Sequence, residues 1–171
     1  MRVKVMEAMI AVLLSFIFLV GMESSASSSE GLPDLAVEIS GPAKAKAGED
    51  IGRDIKLVVK NLGNAAAPGS RNKQSNSYMF DSVLSTDEVV PKDFATYSPN
   101  YFEDVLLRGG RGSNLTDLAP GESKIVLNGA GIPSDTPAGN YFICAQIDPG
   151  AKVAESDEEN NVSCMPIEIE R

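Results

Sequence analysis

The densest group of chemically capable side chains lies near the C-terminus, where Asp148, Glu155, Asp157, Glu158 and Asn160 fall within one short stretch beside Glu159 and Asn161. Hard oxygen ligands of this kind are what calcium takes. The five residues are therefore a candidate calcium site, and calcium is the one cofactor the sequence suggests. Their spacing is not that of a D-x-D-x-D-G loop, so Glu155 and the asparagines could instead bond loop backbone groups while the remaining acids are simply solvated. Paired carboxylates can also hydrolyse glycosides, but with 24 acidic residues some pair is inevitable and nothing singles one out. The chain has no histidine, which removes the commonest general base and the commonest catalytic-zinc ligand. A formal charge of -9 repels phosphates, so nucleic acid and anionic membrane surfaces are excluded as partners. No catalytic residue is assigned, and the chain reads as a non-enzyme.

Other motifs carry less. Arg108-Gly-Gly-Arg111-Gly could cradle a phosphate, yet it opens no helix and sits in an acidic chain, so it reads as a flexible loop. Asn114-Leu-Thr116 and Asn161-Val-Ser163 match the N-glycosylation acceptor, a short pattern with meaning only in a glycosylating secretory route. Tyr97, Tyr101 and Phe102 form a candidate contact surface, with packing over a sheet edge as the competing reading.

The elements that must position these residues begin after an export signal. Arg2 and Lys4 precede an apolar run from Ala8 to Val20, too short for a comfortable membrane span, and Ser24 and Ala26 place small residues before a cut following Ala26. An uncleaved anchor is the alternative. Residues 1–26 are thus expected to be a signal peptide, 27–32 a polar tether, and 33–171 one folded domain. Leu35, Val37 and Ile39, then Ile55, Leu57 and Val59, alternate with other residues as half-buried strands do. Tyr78, Phe80 and Leu84 mark a third strand, in which Ser82 and Val83 break parity and predict an irregularity. A short strand is expected from Tyr101 to Leu107, another from Ser123 to Leu127, and two more over Asn140–Asp148 and Val162–Glu170. About seven short strands separated by turn signals predict an all-β, immunoglobulin-like antiparallel sandwich, with a barrel second.

The last two strands are the most informative. Tyr141, Ile143, Ala145 and Ile147 share one face of the first, and Met165, Ile167 and Ile169 share one face of the second. Both cysteines then point away from the core. In an antiparallel hairpin, setting Cys144 opposite Cys164 also sets Asp148 opposite Asn160, so register and turn agree. A surface-facing cross-strand disulfide is expected, worth about 3 kcal/mol for a loop of this length. Two free thiols or an intermolecular bridge is the alternative.

The segment joining these strands carries a family resemblance. Ala138-Gly139-Asn140-Tyr141-Phe142, Asp148, and Val153-x-Glu155-Ser156-x-Glu158-x-Asn160-Asn161 resemble the CARDB family, the cell-adhesion-related domain found in bacteria and archaea. Pro33-Asp34-Leu35, Val59-x-Asn61-x-Gly63, Leu84-Ser85-Thr86-Asp87 and Leu118-x-Pro120-Gly121 are weaker matches. Asp157 stands where the family has Asn, and residues 86–114 are longer than is typical. The resemblance implies a sandwich module of cell-surface proteins, a role in adhesion, and no catalytic residues. The chain is accordingly expected to be a secreted or periplasmic, cell-surface interaction module whose partner is a protein or carbohydrate. A calcium-stabilised structural spacer is the alternative, and a secreted hydrolase the third reading.

Overall fold

A computed structural model describes residues 31–92, 103–127 and 129–171. The signal segment, most of the tether, and Tyr97, Tyr101 and Phe102 lie outside the described residues. Within them the chain forms eight strands: β1 (Leu35–Ser40), β2 (Lys44–Lys46), β3 (Lys56–Asn61), β4 (Phe80–Ser85), β5 (Asp104–Leu106), β6 (Ser123–Val126), β7 (Gly139–Ile147) and β8 (Val162–Glu170). One 3-10 turn, Ser70–Asn72, is the only helical element among the described residues.

The strands make a three-stranded sheet, β1-β3-β6, and a five-stranded sheet, β2-β8-β7-β4-β5. All pairings are antiparallel except that of β2 with β8. Strands β1 and β2 are successive stretches of chain that change sheet at Gly41-Pro42, where Pro42 offers no N–H to a ladder. A Cβ at Gly41 would stand 2.8 Å from Met165 Cε, so the crossing passes close over β8. β2 was not legible beforehand. It is a three-residue Lys-Ala-Lys edge whose Lys44 ammonium lies 2.8 Å from Glu168 and 3.1 Å from Glu170.

Between the sheets, Leu35, Val37, Leu57 and Val59 pack against Phe80, Leu84, Ile143, Ala145, Ile147, Met165, Ile167 and Ile169, all buried. These are the faces that alternation assigned to the core, since only one side of each strand can meet the opposite sheet. Apolar burial of this kind is the dominant favourable term in folding.

Three expectations are corrected. First, β4 has no irregularity: it pairs with β7 without interruption from Phe80↔Ile147 to Ser85↔Phe142. Val83 is apolar on the outer face because that face is also covered. Residues after β4 fold back over it, and Val83, Val90 and Cys144 form a second buried cluster with Leu106, Phe142, Val162 and Cys164 against it.

Second, the disulfide faces away from the main core as expected, but only its Cys164 end reaches solvent. Cys144 and Cys164 are opposed in the β7–β8 ladder and bonded to each other, as the register predicted. Cys144 is nonetheless fully buried, and the carbonyls of Asp87 and Glu88 lie 3.9 and 3.6 Å from the two sulfurs.

Third, the Arg108–Gly112 stretch is a pinned sheet edge rather than a flexible loop. Ser82 accepts from Leu107 N (3.0 Å) and donates to Gly110 O (2.9 Å), so Arg108 and Gly109 are looped out of the ladder as a bulge. Gly112 then exchanges two bonds with Phe80, and a Cβ there would sit 2.0 Å from the Phe80 ring.

Candidate functional site: the acidic lobe between β7 and β8

The lobe starts where β7 ends. Asp148 turns the chain at φ 48°, its N–H donates to Met79 O (2.8 Å), and its Oδ2 accepts Val153 N (2.8 Å). A short side-chain acceptor bonding its own backbone downstream is what Asp does well at a turn. The closure pushes Val153 into the main core, where it is buried. Gly150 N donates to Lys92 O (2.9 Å), which ties the lobe to the cover over the disulfide.

From Glu155 onward the lobe grips the N-terminal end of β1. Glu155 Oε2 accepts the Leu35 N–H, and its Oε1 accepts Asn161 Nδ2 (2.9 Å). Ser156 N donates to Pro33 O (2.9 Å), and Asn160 Nδ2 to Asp34 Oδ1 (2.7 Å). Glu158 Oε1 accepts Glu155 N (3.1 Å), and Asp157 Oδ1 accepts Glu159 N (2.9 Å). Glu159 projects outward to Lys92. Asp148, Glu155, Asp157 and Glu158 thus each accept a backbone N–H of the lobe or of Leu35, and Asn160 donates to the Asp34 carboxylate.

Charge follows burial. Loss of solvation pushes the Glu155 carboxyl up to about 7, against the opposing pull of Leu35 N–H and the Asn161 amide, with Asp148 and Glu158 adding repulsion. Burial likewise raises Asp148, against the Val153 and Lys152 backbone bonds. The structure therefore gathers Asp148, Glu155 and Glu158 into one electrostatic group. Among the described residues, no three His, Cys, Asp or Glu side chains are placed to hold a metal ion. Three buried side-chain oxygens of the lobe, Asp148 Oδ1, Asn160 Oδ1 and Asn161 Oδ1, have no hydrogen-bond partner.

Two polar features were missed in sequence. Asn61 is fully buried: its Oδ1 accepts from Asp34 N and Gly63 N (3.1 Å each), while Nδ2 donates to Ala65 O (2.8 Å) and Leu118 O (2.9 Å). The Val59-x-Asn61-x-Gly63 match was its signal. The second is Asp81, whose buried carboxylate takes a two-pronged bond from Arg111 (2.8 and 2.6 Å); nothing in the sequence linked residues so far apart. Away from the lobe, a groove of about 550 Å³ is lined by Leu84, Val105, Pro133, Pro137 and Tyr141, with Glu103 and Asp135 its acids.

Solved structures with this architecture include the CARDB domain of a Pyrococcus furiosus protein. In solution it has a TM-score of 0.51 at 22% identity over 81% of this chain and 95% of that one. The same domain in a crystal with di-metal ions gives 0.49 at 23% over 81% and 94%. A domain of a Methanosarcina acetivorans cell-surface protein, so described in its name, gives 0.44 at 18% over 82% and 94%. No curated protein matches the chain. The CARDB family model matches residues 32–164, most of the sequence, and the chain belongs to the CARDB family.

Proposed function

We propose that the chain is an exported, non-catalytic interaction module of the cell surface or extracellular space, engaging a protein or carbohydrate through loops and sheet faces on a rigid sandwich. The observation that carries this reading is the Cys144–Cys164 bond, buried at its Cys144 end beneath an apolar cover, in a chain whose first residues read as an export signal. Structural disulfides persist in oxidising compartments, and a sandwich carrying loops is a common platform for recognition. The motif acids Asp148, Glu155 and Glu158 support the non-catalytic half of the reading, because each accepts a backbone N–H of the lobe or of β1.

Two measurements test it. Non-reducing peptide mapping of chain recovered from outside the cytoplasm should yield the Cys144 and Cys164 peptides linked; unlinked peptides would remove the support for export. Labelled chain beginning at Ser27 should bind saturably to source cells lacking it. Binding no greater than that of an unrelated sandwich of equal charge would sink the interaction role.

A calcium-stabilised spacer is the second reading, favoured by the unpartnered oxygens of Asp148, Asn160 and Asn161 in a lobe rich in carboxylates. Calcium bound only by the folded state raises the melting temperature by mass action. A midpoint unmoved by chelator and by millimolar calcium would dispose of this reading.

A further inference from the structure

The two glycosylation acceptors of the sequence fold into opposite environments, and the fold selects between them. Asn161 is buried, and its Nδ2, the atom that would carry a sugar, donates to Glu155 Oε1 (2.9 Å) and to Ile147 O (3.5 Å). A glycan there would disrupt the hydrogen bond that Asn161 donates to Glu155 and would have to pass through packed chain. Asn114 is exposed in the loop between the glycine edge and β6, and its side chain has no hydrogen-bond partner among the described residues.

The rest of the Asn114 acceptor is held in a fixed shape. Asn114 itself has φ 66°, a left-handed conformation that Asn tolerates better than most residues. Leu115 N donates to Ser70 Oγ (3.1 Å), and Leu115 O accepts Arg71 N (2.8 Å). The Thr116 hydroxyl accepts from Lys124 Nζ (2.9 Å), and Thr116 O accepts the Tyr78 hydroxyl (2.7 Å). The loop therefore turns the Asn114 amide outward while its neighbours stay anchored.

We infer that Asn114 is a site of N-linked glycosylation and that Asn161 is not; the inference rests on the reading that the chain is exported. The donor is an oligosaccharide on a polyprenyl phosphate or diphosphate, and the catalyst a membrane oligosaccharyltransferase acting on the chain during or after export. A bond forms between Asn114 Nδ2 and the anomeric carbon of the first sugar. The bond from that carbon to the lipid phosphate oxygen breaks, the phosphate leaves with the electron pair, and the amide gives up one proton. Nothing is oxidised or reduced. Attached there, the glycan projects into solvent, and the sandwich folds beneath it unchanged.

The test uses full-length chain expressed in its native host, fractionated and analysed by intact mass and glycopeptide mapping. The expected result is chain outside the cytoplasm carrying a sugar mass on the Asn114 peptide and none on the Asn161 peptide. Asn114→Asp, which keeps a residue tolerant of positive φ, should abolish the whole mass increment without changing the melting temperature of the chain. Exported chain with Asn114 bare, or with the sugar on Asn161, overturns the inference and leaves export standing. Chain confined to the cytoplasm with residues 1–26 still attached overturns both.

Discussion

Asp81 and Glu155 are both buried carboxylates, yet the sandwich accommodates them by opposite means. Asp81 sits on the outer face of β4 under a cation, with the Arg111 guanidinium bonding both of its oxygens. Glu155 has no cation beside it among the described residues. It accepts one backbone N–H and one amide N–H, and loss of solvation raises it until neutral and charged forms are close in energy near neutral pH. The contrast separates two ways of burying an acid. A buried ion pair is costly to desolvate and more costly to break, whereas a carboxyl held by neutral donors can meet the same cost by taking up a proton.

The comparison breaks most severely at Arg111. Arg111→Ala should destabilise by about 3–5 kcal/mol in denaturant unfolding, because it strands the Asp81 carboxylate. Replacing both partners with apolar residues of similar shape should recover most of that loss. A single mutant within about 1 kcal/mol of wild type would show that Asp81 finds water or another donor. Glu155→Ala comes next, at about 2–4 kcal/mol, since it leaves the Leu35 N–H and the Asn161 amide without acceptors. Hydrogen exchange should locate the damage at the N-terminal end of β1; uniform loss of protection would contradict the role of Glu155 as a clamp.

The pH dependence is the sharper form of the contrast. Glu155 has its carboxyl raised from 4.5 to about 7 in the fold, so between those values the native state holds a proton that the unfolded chain has released. Its contribution is complete below about 4.5 and fades as pH rises through about 7, with Asp148 shifted in the same direction. Unfolding at pH 5 and pH 8 should differ by on the order of 2 kcal/mol from this group, the lower pH being more stable. Glu155→Gln should flatten that difference. A stability rising with pH over the window, or an unchanged slope in the variant, would remove the neutral-carboxyl account.

How much of this was legible in sequence depends on the distance over which the cause acts. The β7–β8 hairpin was readable because alternation over Tyr141–Ile147 and Met165–Ile169 fixes which face is inner, and two cysteines fix the register. The lobe was readable as a unit because its residues are adjacent in sequence, and the backbone-bonding role of Glu155 was among its readings, whereas Asp148, Asp157 and Glu158, read as solvated, accept backbone N–H groups instead. What could not be read depended on chain arriving from elsewhere. Val83 looked out of parity only because the cover at residues 87–92 was unseen. The bulge assigned to β4 belongs to its partner at Arg108 and Gly109, where the glycines report close approach to Phe80 and Ser82 instead of flexibility. The Asp81–Arg111 pair joins β4 to the glycine-rich edge segment after β5, an adjacency that no local pattern encodes.

The smallest effect concerns the outer rim of the lobe, where Lys92 meets Glu159 and both are well exposed. An exposed ion pair gains little, because water screens the attraction and two long side chains lose freedom to make it. The same lobe is also tied to Lys92 through its backbone, by the Gly150 N–H to Lys92 O bond, which a side-chain change leaves intact. Lys92→Ala should therefore leave the unfolding midpoint close to that of wild type, and any difference should vanish in about 1 M salt. A clear loss of stability that persists in salt would mean that the rim holds the lobe by charge, and would move Glu159 toward the pattern of Asp81.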